Sequence, residues 1–402
     1  MFAIVFIGDS MIAQEWPQFL GPSRDGQYRG PALNTSWPAG KPEELWRRSV
    51  GEGFAGPVVA ENRLLLFHRV DDLEVLEAMD AVSGALIWSH YYATAYRDDF
   101  GFDEGPRAVP VVANGVVYTF GAQGDLYAVG LETGETLWHV DTKERFRFRK
   151  GFFGAAGSPL VDDGRVLVNV GGENAGIVAF DATSGDVLWT ATSDEASYSS
   201  AVAADLGGVR HAIFFTRTGL VGLNPINGEL RFDQRWRSRL GASVNAATPL
   251  IIGDLIFVSA SYGTGAAVFH VEGTSLSRIW SSDDALSNHY ATSVHHDGYL
   301  YGYHGRQEYK PSFRAVDLRT GFVQWTVEEF QAGSVTLAGN QLVIVKETGE
   351  LIIAQATPTS FTPIARTQVL PSVVRAYPAV AKGLVYVRNE DTLICLDLRS
   401  KS

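Results

Sequence analysis

The chain has 402 residues, with 33 Lys and Arg against 45 Asp and Glu and a formal net charge of −12. An acidic balance with both signs scattered, and no basic stripe, excludes broad nucleic-acid binding. A single cysteine, Cys395, excludes an intrachain disulfide and a thiolate metal cluster, and leaves open centres built from His or carboxylates.

The first 14 residues, MFAIVFIGDSMIAQ, hold an apolar run too short to span a bilayer, so no transmembrane anchor is expected. The run resembles a signal-peptide core that lacks a basic start and carries Asp9, and it reads as a truncated or atypical export signal. Its FIGDSM looks like the nucleophile block of Gly-Asp-Ser esterases, with Ser10 as nucleophile. Those enzymes need an α/β domain and a late Asp-x-x-His, and the chain has neither. Residues 15–42 follow as an N-terminal segment, and 43–402 read as one repeat domain without linkers.

ELWRRSV, with Trp46, is a strand with no hairpin before it. Next comes GPVVAENRLLLF, the first of eight strand–turn–strand phrases. The others are AVPVVANGVVYTF, GSPLVDDGRVLVNV, SSAVAADLGGVRHAIFF, ATPLIIGDLIFVSA, ATSVHHDGYLYGY, GSVTLAGNQLVIV and YPAVAKGLVYV. Asn-Gly, Asp-Gly and related pairs between alternating apolar runs are strong hairpin signals.

A second hairpin follows most of these. EAMDAVSGALIW carries Asp80, Gly84 and Trp88; YAVGLETGETLW carries Gly130, Gly134 and Trp138; IVAFDATSGDVLW carries Asp181, Gly185 and Trp189. VGLNPINGELRF is a worn copy ending in Phe232. AVFHVEGTSLSRIW keeps Trp280 but not the turn, and RAVDLRTGFVQW restores both at Asp317, Gly321 and Trp325. Where the phrase is complete, Asp or Asn opens the turn by bonding its own backbone, Gly supplies positive φ, and the indole offers a plate for a neighbouring unit. Trp46, Trp88, Trp138, Trp189, Trp280 and Trp325 are therefore the expected blade-docking residues.

Trp88 to Trp138 is 50 residues, Trp138 to Trp189 is 51, and Trp280 to Trp325 is 45. Four strands at that period make a propeller blade. The expected fold is all-β, an eight-bladed propeller with four antiparallel strands per blade. The last phrase, LICLDLRSKS, stops one strand short, so the strand at Trp46 is expected to complete the last blade. Cys395 falls in this phrase and reads as a core thiol.

The Asp-x-x-Thr/Ser-Gly-x-x-x-Trp phrase at residues 80–88, 181–189 and 317–325, partly at 130–138, resembles the pyrroloquinoline quinone (PQQ)-like repeat family of eight-bladed propellers. EWPQFLGPSRDGQYRG at 15–30 looks like the start of its exported members. The resemblance covers nearly the whole chain and implies two branches. One is quinoprotein alcohol dehydrogenases, with PQQ, Ca²⁺ and a disulfide over the quinone. The other is non-catalytic propellers of outer-membrane assembly. This chain cannot form that disulfide, and it lacks long inserts.

Function in propellers concentrates where chain enters each inner strand. Reading round the ring gives Phe54, Arg107, Phe153 and Tyr198, then Asn245, His289, Tyr290, Arg375 and Tyr377. The set suits a ligand or peptide pocket, or a self-satisfied channel plug. DTKERFRFRKGFFG, 141–154, alternates Arg145, Arg147 and Arg149 with Phe146 and Phe148. Arg147 and Arg149 join the candidates as an anion grip, and the alternation predicts a strand with one basic and one buried face. YRDDFGFDEG, 96–105, gathers four acids without calcium-loop spacing and reads as a solvated loop. His295 and His296 adjoin a turn and so point to opposite faces, and His289 and His304 could meet at the mouth only if the loops fold back, so a histidine metal site is not expected. Trp16, Trp37 and Trp236 are left free of blade packing.

The resulting expectation is an exported, monomeric, non-catalytic scaffold of the cell envelope, periplasmic or secreted, binding a protein segment or small ligand at its channel mouth. No cofactor and no metal are expected. The alternative is a divergent dehydrogenase dependent on PQQ and Ca²⁺.

Overall fold

Val58–Ala60 pairs with Arg63–Val70 across a turn in which Glu61 and Asn62 both take positive φ (50° and 62°), the twist that suits a tight hairpin. Leu73–Asp80 and Leu86–Ala93 continue the meander outward, giving a four-stranded antiparallel sheet. The computed structural model describes residues 14–37, 40–147, 150–241 and 243–400, and there the pattern recurs to give eight sheets, an eight-bladed propeller. We number the blades 1 to 8 from Val58. Among the described residues no helix is long and apolar enough to cross a membrane.

The repeated phrase has a uniform local geometry. Asp80 Oδ1 accepts from the amides of Val82 and Ser83 and from the Ser83 hydroxyl, Asp317 caps its turn the same way, and Asp181 accepts the two corresponding amides while the Ser184 hydroxyl turns to Asp186. Gly84, Gly185 and Gly321 hold φ between 70° and 76°, which a residue with a Cβ resists. In all eight outer strands the register slips just before the docking position, as at Leu45 before Trp46 and Ile87 before Trp88. Such a bulge adds twist and re-aims the next side chain. In six of the eight that side chain is the indole; in the other two it is Phe232 and Ala365.

Each indole lies on the turn of the next blade. Trp88 covers Gly134 and donates Nε1–H to Leu131 O (3.0 Å); Trp138 covers Gly185 and donates to Ala182 O (3.0 Å). Trp189 reaches Pro225 O (3.1 Å), Trp280 reaches Leu318 O (2.8 Å) and Trp325 reaches Thr357 O (2.9 Å). The worn copy ends in Phe232, which has no donor, and across that seam His211 Nε2 pairs with Gly273 O at 3.1 Å instead.

The ring closes through the N-terminal side. Glu43–Ser49 pairs antiparallel with Thr392–Asp397, with Trp46 opposite Cys395, so blade 8 takes its outer strand from residues before blade 1. Cys395 is fully buried there, and burial pushes its thiol up to about 12.

Residues 14–37 lie across the far end of the channel, where the inner strands finish. Gln14 O accepts from Lys382 N in blade 8, Trp16 bridges Val59 in blade 1, and Pro17 O accepts from Val112 N in blade 2. The Arg24 guanidinium, 2% exposed, donates to Pro159 O and Ala201 O at the inner strands of blades 3 and 4. Gln27–Tyr28 then adds a short parallel strand to blade 7, against Leu337 and Ala338. The segment ties blade to blade around the axis.

Two sequence expectations are corrected here. Residues 142–146 form a helix, Thr142–Phe146, where period-two alternation predicted a strand. Asp141 caps it by accepting from Glu144 N (2.9 Å), and Arg147 ends it at φ 54°. The Asp-x-x-Glu capping pattern outweighs the Arg/Phe alternation. Nor are the three remaining tryptophans free: Trp16 is buried, Trp236 donates to Gly265 O (3.1 Å) and Trp37 to Asn34 O (2.8 Å). Residues 1–13, with the export-signal expectation and Ser10, lie outside the described residues.

Candidate functional site

Where chain enters the inner strands, the structure gathers eight of the sequence-predicted residues around one cavity of about 180 Å³. Phe54, Arg107, Phe153 and Tyr198 line it from blades 1 to 4, and His289, Tyr290, Arg375 and Tyr377 from blades 6 and 8. Phe19, from the N-terminal segment, meets Tyr377 edge-on (centroids 5.0 Å apart) and forms the floor. With the far end of the channel occupied by that segment, the cavity opens at one mouth.

Phe54 stands between two guanidiniums, with Arg107 5.3 Å and Arg375 5.4 Å from its ring centre. Cation–π contact of this kind helps to hold the aromatic ring in place. Both arginines have a carboxylate behind them. Asp98 Oδ2, with a fully buried side chain, accepts from Arg107 Nη2 at 2.7 Å; Glu347 Oε1 accepts from Arg375 Nε at 2.8 Å and from the Tyr290 hydroxyl at 2.7 Å. Neither carboxylate lines the cavity.

His289 Nδ1 donates to Gln307 Oε1, and its Nε2 accepts from the Tyr262 hydroxyl at 2.7 Å. Burial lowers its pKa, so the imidazole is held neutral. Burial raises Tyr198, whose hydroxyl accepts from Phe153 N at 3.2 Å.

The acidic loop is only partly solvated: Asp99 is exposed, whereas the Asp98 side chain and Asp103 are buried. Besides Asp98, Asp103 accepts from Gly53 N and Gly105 N, and Asp99 pairs with Lys150 at 2.5 Å. Pinned this way, the loop carries Phe100 and Phe102 to the rim, 54% and 55% exposed, with Phe102 lining the cavity.

Two predicted mouth residues lie elsewhere. Asn245 is buried, donating to Thr216 O and Trp236 O (both 2.9 Å), and so fastens the loop between blades 4 and 5. Arg147 ends the short helix beside a separate open hollow with Arg145, Lys150 and Arg217. Arg149 lies outside the described residues. Phe19, Phe102 and Gln307 line the cavity without a positional signal in the sequence, since none lies just before an inner strand, whereas Ser158 and Ser200 do lie there but are small polar residues that composition did not set apart.

The lining does not fit a quinone with calcium. It has no tryptophan floor and no carboxylate, the single thiol is buried in blade 8, and no three His, Cys, Asp or Glu side chains group as metal ligands among the described residues. At about 180 Å³ the cavity is also below the roughly 300–1,000 Å³ of ordinary cofactor pockets.

A family model described as outer membrane protein assembly factor BamB matches residues 71–327. Among curated relatives, BamB of Shewanella oneidensis is 23% identical over 371 residues, 87% of each chain. The quinohemoprotein alcohol dehydrogenase ADH-IIG of Pseudomonas putida is 31% identical over 142 residues, covering 34% of this chain and 19% of its own length. The solved quinohemoprotein alcohol dehydrogenase of Comamonas testosteroni superposes with a TM-score of 0.70 at 14% identity, over 98% of this chain and 82% of that one, a likeness of fold.

Proposed function

The chain belongs to the PQQ-repeat propeller family described as outer membrane protein assembly factor BamB, and on that premise we propose that it is a non-catalytic binding scaffold of the cell envelope. Its channel mouth receives a segment of a partner protein. The observation that carries this reading is the pocket itself: an aromatic, arginine-framed cavity whose carboxylates stand outside the lining. Ordered exposed aromatics around a deep pocket suit a binding hot spot. A PQQ-dependent dehydrogenase would need the cofactor ligands that the lining lacks.

Two assays test it. Purified protein is titrated with PQQ and Ca²⁺ and then assayed for dye-linked alcohol oxidation; saturable binding with turnover would overturn the proposal. A photo-crosslinker at Phe102, in cells that make the protein, is expected to capture an envelope protein that the same group at Ile226, exposed on an outer turn, does not capture.

A further inference from the structure

We propose that the mouth pocket recognises a single large apolar group bearing a carboxylate. This rests on the reading of the mouth as a binding site and specifies what enters it.

The donors and acceptors of the wall are unequally committed. Arg107 is committed, its Nη1 to Tyr96 Oη and Phe153 O and its Nη2 to Asp98 and Asp103 O. Arg375 uses only Nε, on Glu347; among the described residues its two Nη groups have no hydrogen-bond partner, while the guanidinium lines the cavity over Phe54 and Phe102. Gln307 accepts through Oε1 from His289, which leaves its amide N–H groups to donate. The hydroxyl oxygens of Ser158 and Ser200 accept from Val109 N (2.9 Å) and Ser158 N (3.1 Å), so their protons are also open. The cavity thus offers one uncommitted cationic fork and several neutral donors, with both nearby carboxylates behind the wall.

An anion with two acceptor oxygens matches that fork, since arginine binds carboxylates in a bidentate, charge-assisted way. Much of the remaining wall is apolar or aromatic, with Phe19, Phe54, Phe153 and Val109 in it, and about 180 Å³ admits a group on the scale of one large side chain. A polypeptide ending in a large apolar residue and a free arylalkanoic acid share this chemistry.

The test is calorimetric titration with four probes: 3-phenylpropionate, 3-phenylpropionamide, and the peptide Gly-Gly-Gly-Gly-Phe as free acid and as C-terminal amide. The acids are expected to bind at least about tenfold tighter than their amides, the scale of a charge-assisted bond. The paired substitution Arg375→Gln with Glu347→Gln, which strands no buried charge, is expected to abolish that preference, and Gln307→Ala to reduce it. A tighter peptide acid identifies a chain end as ligand, and a tighter phenylpropionate a small acid; either supports the proposal. Equal binding of acid and amide, or no binding of either acid, overturns it. If the Phe102 crosslink still captures its partner, the scaffold reading survives that failure; if it does not, both fall together.

Discussion

The indole of Trp46 lies flat on Gly84, so close that a β-carbon there would sit 2.7 Å from Trp46 Cδ2, while its Nε1–H reaches Ala81 O at 3.2 Å. This is the seam between blade 8 and blade 1, and the residue that closes it comes from the strand preceding blade 1. Gly84→Ala meets both the indole and an unfavourable φ of 70°. It is expected to lower stability by about 1 to 3 kcal/mol in urea unfolding. Trp46→Ala is expected to lose about 3 kcal/mol or more. Gly115→Ala, at φ 74° with open space around it, separates the backbone cost from the loss of contact.

Arg24 joins the N-terminal segment to blades 3 and 4 through two carbonyls. Arg24→Ala leaves those carbonyls unpaired and buried, and about 2 to 4 kcal/mol of stability should be lost. Limited proteolysis is expected to cut the variant within residues 14–37 before the blades. Cleavage elsewhere first would count against the segment's tying role.

Acid and base act on different buried groups. His68 accepts from Gly51 N through Nδ1, and burial with the Arg388 and Arg48 charges lowers its pKa to about 3. Its contribution is complete above the ordinary histidine range, near 6.5, and is lost as pH falls from there toward 3. Glu74, buried against Tyr92 and Ala122 N at the seam of blades 1 and 2, is raised to about 7 by burial. Its contribution is complete below about 4.5 and is lost as pH rises through 7. In melting curves from pH 4 to 9, His68→Gln should flatten the acid side. Glu74→Gln should stabilise the protein only at the alkaline end, by on the order of 1 to 3 kcal/mol.

Phe102 is exposed and anchored by its loop, so Phe102→Ser should leave the melting temperature nearly unchanged while weakening partner capture severalfold or more. Phe19→Ala removes the floor instead. It is expected to deepen the cavity and destabilise the fold by about 3 kcal/mol, with loss of shape selectivity among apolar probes. Unchanged selectivity would show that the floor does not shape the site.

How much of this was legible follows from how far each residue reaches. The turn phrase reads directly because its Asp, Gly and Trp each do one local job, and the jobs repeat at a fixed spacing. The positions before each inner strand were legible for the same reason, and eight of those residues meet at the cavity. Phe19 and Arg24 carried no such signal: Arg24 bonds carbonyls 135 and 177 residues away, and no periodicity encodes that. At the seam after Phe232 the phrase is worn, and His211 supplies the missing bond from a different strand. In residues 141–147 a capping pattern won over alternation, and the rim phenylalanines were hidden within a loop that composition marked as merely acidic.

The parallel strand Gln27–Tyr28 and the pairing of Glu43–Ser49 with Thr392–Asp397 impose an order on biosynthesis. A ribosome delivers these residues while their partners are still untranslated. Until the final hairpin emerges, the nascent chain holds an unpaired edge at each end of an open crescent, the kind of surface on which chains stick to one another. Completion therefore waits for the strand Thr392–Asp397, and a protein stopped a few residues short of Thr392 would be left with an unsealed circle.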